Sequence, residues 1–168
     1  SIKNTKPTLI SLVPTQLRRL LGHTVGIRWL QSFAVVWVGG SSLPVDLANT
    51  ARNNGIRLSP CYGTTETMAM VTALAPDDFL QGETNDGEPL IDIELRIGAR
   101  NQLEIRTNRI AKVISENGKL LNLLDKDGWW KSGDSARIMH KNNVPKLEII
   151  GRLDNAIQSG AETIFPEK

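Results

Sequence analysis

The sequence predicts an α/β fold joined to a β fold: a partial parallel-sheet α/β subdomain, then a small antiparallel, barrel-like β subdomain. Three observations carry this. A short apolar run at 9–13 and an unbroken one at 33–38 are separated by a helix-period segment, as in a parallel sheet covered by helices. Beyond Pro76 the apolar period drops to two, the pattern of antiparallel strands with one wet face. The 168 residues, 40% of them hydrophobic, suffice for one ordinary packed domain or two small ones.

The run 9–13 reads as a buried strand. Pro14-Thr15 opens a helix over 16–21, with Leu17, Leu20 and Leu21 on one face and Arg18 and Arg19 solvated. Gly22 is expected to close it as the residue past the last turn. Phe33-Ala34-Val35-Val36-Trp37-Val38 shows no alternation, so it is expected to be a strand covered on both faces. Gly39-Gly40-Ser41-Ser42-Leu43-Pro44 follows, and a helix over 45–54 begins at the proline and ends before Gly55. Glycines beyond a strand's carboxyl end stand where open α/β sheets bind ligands, and without Cβ atoms they let a flat ligand lie on the backbone. An ordinary tight βα connection is the alternative.

Residues 56–59 read as the next strand, delivering Tyr62-Gly63-Thr64-Thr65-Glu66-Thr67. Hydroxyls and free N–H groups after a strand can hold phosphate oxygens, a neighbouring carboxylate can hold Mg²⁺, and a tyrosine face suits an adenine ring. The same residues also suit a hydroxyl-capped turn at a helix start. Residues 8–75 thus read as strand–helix–strand–helix–strand, with two consecutive strands ending in loops suited to a ligand.

From 77 to 89 the chain is a polar connection. Period-two segments at 91–97, 103–106, 120–124, 135–139 and 146–150 read as an antiparallel meander or small open barrel, with Lys141-Asn142-Asn143 as a hairpin tip. Within it, Gly128-Trp129-Trp130-Lys131-Ser132-Gly133-Asp134 places a carboxylate at the head of a strand after a sharp glycine turn. A carboxylate there can accept both hydroxyls of a ribose, or be a plain turn aspartate. The tryptophans are suited to core or edge packing. Gly151-Arg152-Leu153-Asp154-Asn155 ends the last strand with a permanent cation and a polar pair of the kind found between domains.

Composition narrows the partners. A net charge of +2 without a dense basic run gives no footing for nucleic acid, and no apolar run reaches the length of a membrane span. The one cysteine, Cys61, excludes an internal disulfide and fits a reducing, cytoplasmic compartment. His23 and His140 belong to no metal-ligand spacing.

The ordered motifs Gly39-Gly40-Ser41, Tyr62-Gly63-Thr64-Thr65-Glu66, Gly128-Trp129-Trp130-Lys131-Ser132-Gly133-Asp134 and Gly151-Arg152-Leu153-Asp154 resemble the adenylate-forming superfamily. That superfamily holds acyl-CoA synthetases, peptide-synthetase adenylation domains and firefly luciferase. The opening Thr8-Leu9-Ile10-Ser11-Leu12-Val13-Pro14-Thr15-Gln16-Leu17 is similar, more narrowly, to the 2-succinylbenzoate–CoA ligase family of menaquinone and phylloquinone synthesis. The resemblance covers essentially the whole chain. It implies a piece of that superfamily's large N-terminal domain: an α/β subdomain at 1–86, an antiparallel β subdomain at 87–150, and a hinge with the start of a further domain at 151–168.

The resemblance also implies roles. Gly39, Gly40 and Ser41 would line the adenine pocket, with Tyr62 stacked on the base. Thr65 would touch the α-phosphate and Glu66 would hold Mg²⁺. Gly63 and Thr64 would border both nucleotide and acyl substrate. Asp134 would bind the ribose with Arg152 nearby, and Asp154 would be the hinge. Substrates and cofactors would be a carboxylic acid, ATP, Mg²⁺ and coenzyme A. A phosphate loop before Ser1 and a catalytic lysine after Lys168 are expected outside these residues, so no turnover is expected of them alone. A ligase for another aryl or fatty acid, and a non-catalytic nucleotide-binding remnant, are the competing readings. Gly160-Ala161 stands where paired glycines are usual, and Gln158 where lysine is common.

Overall fold

A computed structural model describes residues 8–117, 119–159 and 162–165; Gly160 and Ala161 lie outside them, as do 1–7, 118 and 166–168. The chain forms two compact units, Ser1–Tyr62 with Ala73–Thr84, and Gly63–Thr72 with Asn85–Lys168.

In the first unit, β1 (Leu9–Leu12) runs parallel to β2 (Val35–Val38), which runs parallel to β3 (Leu58–Thr64). The connections are helical, as parallel neighbours require: α1 (Pro14–Leu21) and α2 (Thr24–Leu30) join β1 to β2, and α3 (Val45–Asn53) joins β2 to β3. Pro14 starts α1, and the Gln16 side chain turns back to accept the Val13 N–H at 3.0 Å. Leu17 and Leu21 face inward with Leu12, Leu30, Val36, Val38, Leu47, Ala51, Ile56, Leu58, Leu74 and Phe79, while Arg18 forms an exposed pair with Asp46. Truncating the fully buried Leu17 to Ala is expected to cost about 2–5 kcal/mol through a cavity in this core, read by urea unfolding.

Three local expectations change here. Gly22 caps α1 at φ −69°, in the right-handed region, so its left-handed freedom is not used. The chain instead starts α2 at once, and the glycine that matters is Gly26: a Cβ there would lie 2.2 Å from the Leu20 carbonyl oxygen, so α2 packs on the end of α1 only without one. In β2, Val36 and Val38 are fully buried but Val35 and Trp37 only half so, leaving one face less covered than the unbroken run implies. Gly55 behaves as expected, closing α3 at φ +63°. A short helix, α4 (Pro76–Leu80), occupies part of what the sequence offers as connection.

The second unit holds all but the last residue of β4 (Ala69–Ala73), which neighbours the short β5 (Glu88–Pro89), and a four-stranded antiparallel sheet. Its order is β11 (Val144–Arg152), β10 (Trp130–Lys141), β7 (Gln102–Arg106) and β6 (Glu94–Ile97). Asn142 and Asn143, at φ 52° and 62°, make the two-residue turn between Lys141 and Val144, as the asparagine pair predicts. Leu103, Ile105, Ala136 and Leu147 fill the buried face. β8 (Val113–Glu116) and β9 (Lys119–Asn122) form a separate hairpin, as do β12 (Ile157–Ser159) and β13 (Glu162–Ile164). The expected strand at 91–97 begins only at Glu94: Ile91 is fully exposed, and the Ile93 N–H turns back to the Leu90 carbonyl. Among the described residues no helix is long and apolar enough to cross a membrane.

Candidate active site

In the first unit, Gly39 and Gly40 leave β2 as the sequence predicts. A Cβ on Gly39 would lie 2.8 Å from Cys61 Sγ and 3.0 Å from the Cys61 carbonyl oxygen, so the glycine is what lets β2 and β3 close at this level. The thiol reaches the Val38 carbonyl at 3.4 Å, which gives Cys61 a packing role. Gly40 adopts φ +82°, a turn that no Cβ favours, and Ser41 behind it is exposed. Tyr62 follows Cys61 on β3, half-buried.

The strand is longer than the sequence predicts. β3 runs to Thr64, so Tyr62, Gly63 and Thr64 belong to the strand itself and only Thr65-Glu66-Thr67-Met68 turn. Proline and cysteine at 60 and 61 conceal this extension, because neither continues the aliphatic run. The turn belongs to the second unit and divides its own hydroxyls. Thr67, fully buried, accepts the Thr64 N–H at 3.1 Å and donates to the Ala69 carbonyl at 2.9 Å. The Glu66 carbonyl takes the Ala111 N–H. The Thr65 hydroxyl and the Glu66 carboxylate make no side-chain hydrogen bond or ion pair among the described residues, so both are available to a ligand.

The third group also belongs to the second unit. Gly133 and Asp134 stand inside the long β10, not in a turn before a strand: pairing with β7 passes from Lys131↔Glu104 to Ser135↔Gln102, and the surplus residues bulge. A bulge re-aims a side chain without ending the strand. Asp134, 6% exposed, lies opposite Arg152, whose guanidinium is 3.6 Å from its carboxylate. The same guanidinium forks onto Asp154 at 3.0 and 2.7 Å and holds that exposed carboxyl below the usual carboxylate range. It lies flat over Gly133, where a Cβ would fall 2.8 Å from Nη2. The guanidinium groups of Arg96 and Arg106 lie over the Trp129 ring at 4.1 and 4.7 Å, and Trp130 is equally buried, so both tryptophans are packing residues.

The structure therefore brings Asp134, Arg152 and Asp154 together, sets Gly39 against the residue before Tyr62, and joins Thr64 to Thr67 around Thr65 and Glu66. The sequence assigns no individual role to Gln102, Ser132 or Arg96. Ser132 accepts the Asp134 N–H at 3.1 Å, and a serine two residues before an aspartate could have indicated such a contact. Gln102 and Arg96 act across strands, where no local signal exists.

Residues 1–114 match the AMP-binding enzyme family. The chain belongs to that family. Over 161 residues it is 38% identical to the 2-succinylbenzoate–CoA ligase of Escherichia coli (strain K12), covering 96% of this chain and 33% of that protein. Its fold is similar to that of the Bacillus subtilis o-succinylbenzoate CoA synthetase in complex with the acyl-adenylate intermediate OSB-AMP, at TM-score 0.79 and 26% identity, over 95% of this chain and 34% of that one. The same synthetase in complex with ATP and magnesium ion matches at TM-score 0.76, with the same identity and coverage. The chain spans about one third of the length of the curated relatives it matches. The mixed fold expected from the sequence, parallel sheet followed by antiparallel sheet, is the fold found in this part of those enzymes.

Among the described residues, no cluster of three or more His, Cys, Asp or Glu could cage a metal ion. Magnesium does not require one, since it keeps several waters and is held through one or two carboxylates plus phosphate oxygens. An uncommitted Glu66 carboxylate beside an uncommitted Thr65 hydroxyl fits that donor set.

Proposed function

We propose that these residues are the central part of an ATP-dependent, AMP-forming acid–CoA ligase whose acid is 2-succinylbenzoate. The observation that carries the reading is the Thr64–Thr67 turn, in which two threonines build the loop and the threonine and glutamate between them remain available. The substrate assignment is supported by the 38% identity to a 2-succinylbenzoate–CoA ligase across nearly the whole chain.

In this reading an oxygen of the acid's carboxylate attacks the α-phosphorus of ATP. A mixed acyl-phosphate anhydride forms and pyrophosphate leaves. The thiolate of coenzyme A then attacks the acyl carbon, a C–S bond forms, and AMP leaves with the electron pair of the broken C–O bond. The Tyr62 ring stacks on the base, and the Gly39-Gly40-Ser41 backbone lines its edge. Thr65 donates its hydroxyl to an α-phosphate oxygen, where charge grows in the transition state. When bound, magnesium neutralises phosphate oxygens, and Glu66 is the residue that would hold it. Gly63 and Thr64 border the acyl group. Asp134 accepts the ribose hydroxyls, with Arg152 beside it, and fixing the ribose fixes the α-phosphate against the acid. Asp154 is the hinge, within the segment 151–168 that begins a further domain. Cys61, the one cysteine, forms no internal disulfide and fits a cytoplasmic enzyme, and the substrate places that enzyme in a quinone-forming pathway.

The test is a thioester assay on the whole ligase with ATP, magnesium and coenzyme A against a panel of acids. Turnover preferring 2-succinylbenzoate supports the reading; preference for another aryl or fatty acid replaces the substrate, and nucleotide binding without any thioester removes the catalysis. Within it, Asp134→Ala is expected to raise the KM for ATP about 10- to 100-fold, the effect of losing hydrogen bonds to a charged group. An unchanged KM would remove the ribose assignment.

A further inference from the structure

We infer that Gln102 is a positioning residue for the ribose-binding carboxylate of Asp134, an inference that rests on the ligase reading above. The bulge that carries Asp134 also takes Ser132 out of regular pairing with β7: along β10, Lys131 to Ser135 faces only Glu104 to Gln102. Ser132 is 1% exposed, so its backbone carbonyl needs a donor within the protein. Gln102, itself half-buried, supplies one: its Nε2 donates to the Ser132 carbonyl at 2.8 Å. The side chain thus spans the gap that the extra residues open.

The bond reaches the functional carboxylate through a single link. The Ser132 hydroxyl accepts the N–H of Asp134, so the orientation of the Ser132 peptide sets where Asp134 stands. Across the other edge of β10 the Leu153 N–H donates to the Gly133 carbonyl at 2.8 Å, and Arg152 lies opposite Asp134. The bulge is therefore fixed from both neighbouring strands, by a backbone bond on the β11 side and by the Gln102 amide on the β7 side. Without that amide the Ser132 peptide is free to rotate toward another donor, and Asp134 moves with it.

The experiment uses the whole ligase, with pyrophosphate exchange as the readout. Gln102→Leu removes the donor, and Gln102→Glu removes it while keeping the volume, so the second variant reads the contact should the first fold poorly. Each is expected to raise the KM for ATP about five- to tenfold while kcat and the KM for the acid stay within about twofold of wild type. With 2′,3′-dideoxy-ATP the difference between wild type and variant should vanish, because the hydroxyls through which Asp134 acts are missing. A general loss of structure would not produce that cancellation. An unchanged KM for ATP, or a penalty of the same size with the dideoxy nucleotide, overturns the role of Gln102. Asp134→Ala separates the two failures. If it raises the KM and the Gln102 variants do not, only the positioning role falls. If it too is silent, the ribose site of the parent reading falls with it.

Discussion

On the proposed ligase activity, Glu66→Gln in the whole protein is expected to lower acyl-adenylate formation by about 10²- to 10³-fold, the range found when one preorganised electrostatic contact to a transition state is removed. The replacement keeps shape and length, and it removes no contact that the fold uses. The Glu66 backbone carbonyl, which takes the Ala111 N–H, is unchanged, and the carboxylate has no ion-pair partner among the described residues. Stability should therefore stay within about 0.5 kcal/mol of wild type, as for a surface substitution. What changes is the donor offered to a hard dication: a neutral amide oxygen in place of an anionic one. The measurement is pyrophosphate exchange titrated with magnesium. A variant whose apparent magnesium requirement rises, with partial recovery at high metal, places Glu66 at the ion. Activity within about threefold of wild type at all magnesium concentrations would take Glu66 out of the metal site and leave the turn a structural feature.

The sequence was legible where one residue type has one physical use. Gly55 past α3 and the Asn142-Asn143 turn were readable because left-handed backbone admits few residues, and the structure uses both as such. The run ending at Val38 was readable as a strand from its branched residues alone. What escaped was decided by partners distant in the chain. Strand β3 continues through Tyr62 to Thr64, although Pro60, Cys61 and Gly63 are poor strand residues in isolation. Gly133-Asp134 looks like a turn, yet pairing with β11 on one side and the Gln102 amide on the other keeps it within β10. Gly22 looked like the glycine that ends α1, whereas the need lay at Gly26, set by the Leu20 carbonyl of the preceding helix. The candidate site followed the same division. Its residue types, an aromatic ring, hydroxyls and carboxylates, are local chemistry. The bulge that aims Asp134 is a property of three strands together.

Gly63→Ala is expected to be the most damaging of the conservative changes at the site, costing about 3 kcal/mol of stability, at the upper end of ordinary overpacking. The reason is space, not dihedral freedom, since Gly63 is not among the residues with positive φ. A Cβ there would lie 2.3 Å from the Ala69 carbonyl oxygen, 2.8 Å from its carbon and 2.9 Å from Met70 Cα. All three are backbone atoms, so no side chain can swing aside and the beginning of β4 must move. That displacement reaches the turn directly, because Thr67 donates to the same Ala69 carbonyl while accepting from Thr64. Gly39→Ala provides the contrast. Its nearest obstacle is the Cys61 thiol, a side-chain atom, so at least that part of the strain can relax by rotation. Urea unfolding of the two variants should therefore rank Gly63→Ala well below Gly39→Ala. Adenylate formation in the whole ligase should fall with Gly63→Ala even at temperatures where the variant stays folded, since Thr65 and Glu66 hang on the turn that has shifted. A Gly63→Ala variant as stable and as active as wild type would mean that β4 does not lie against the strand at Gly63, and the turn between them could not then hold Thr65 and Glu66 in place.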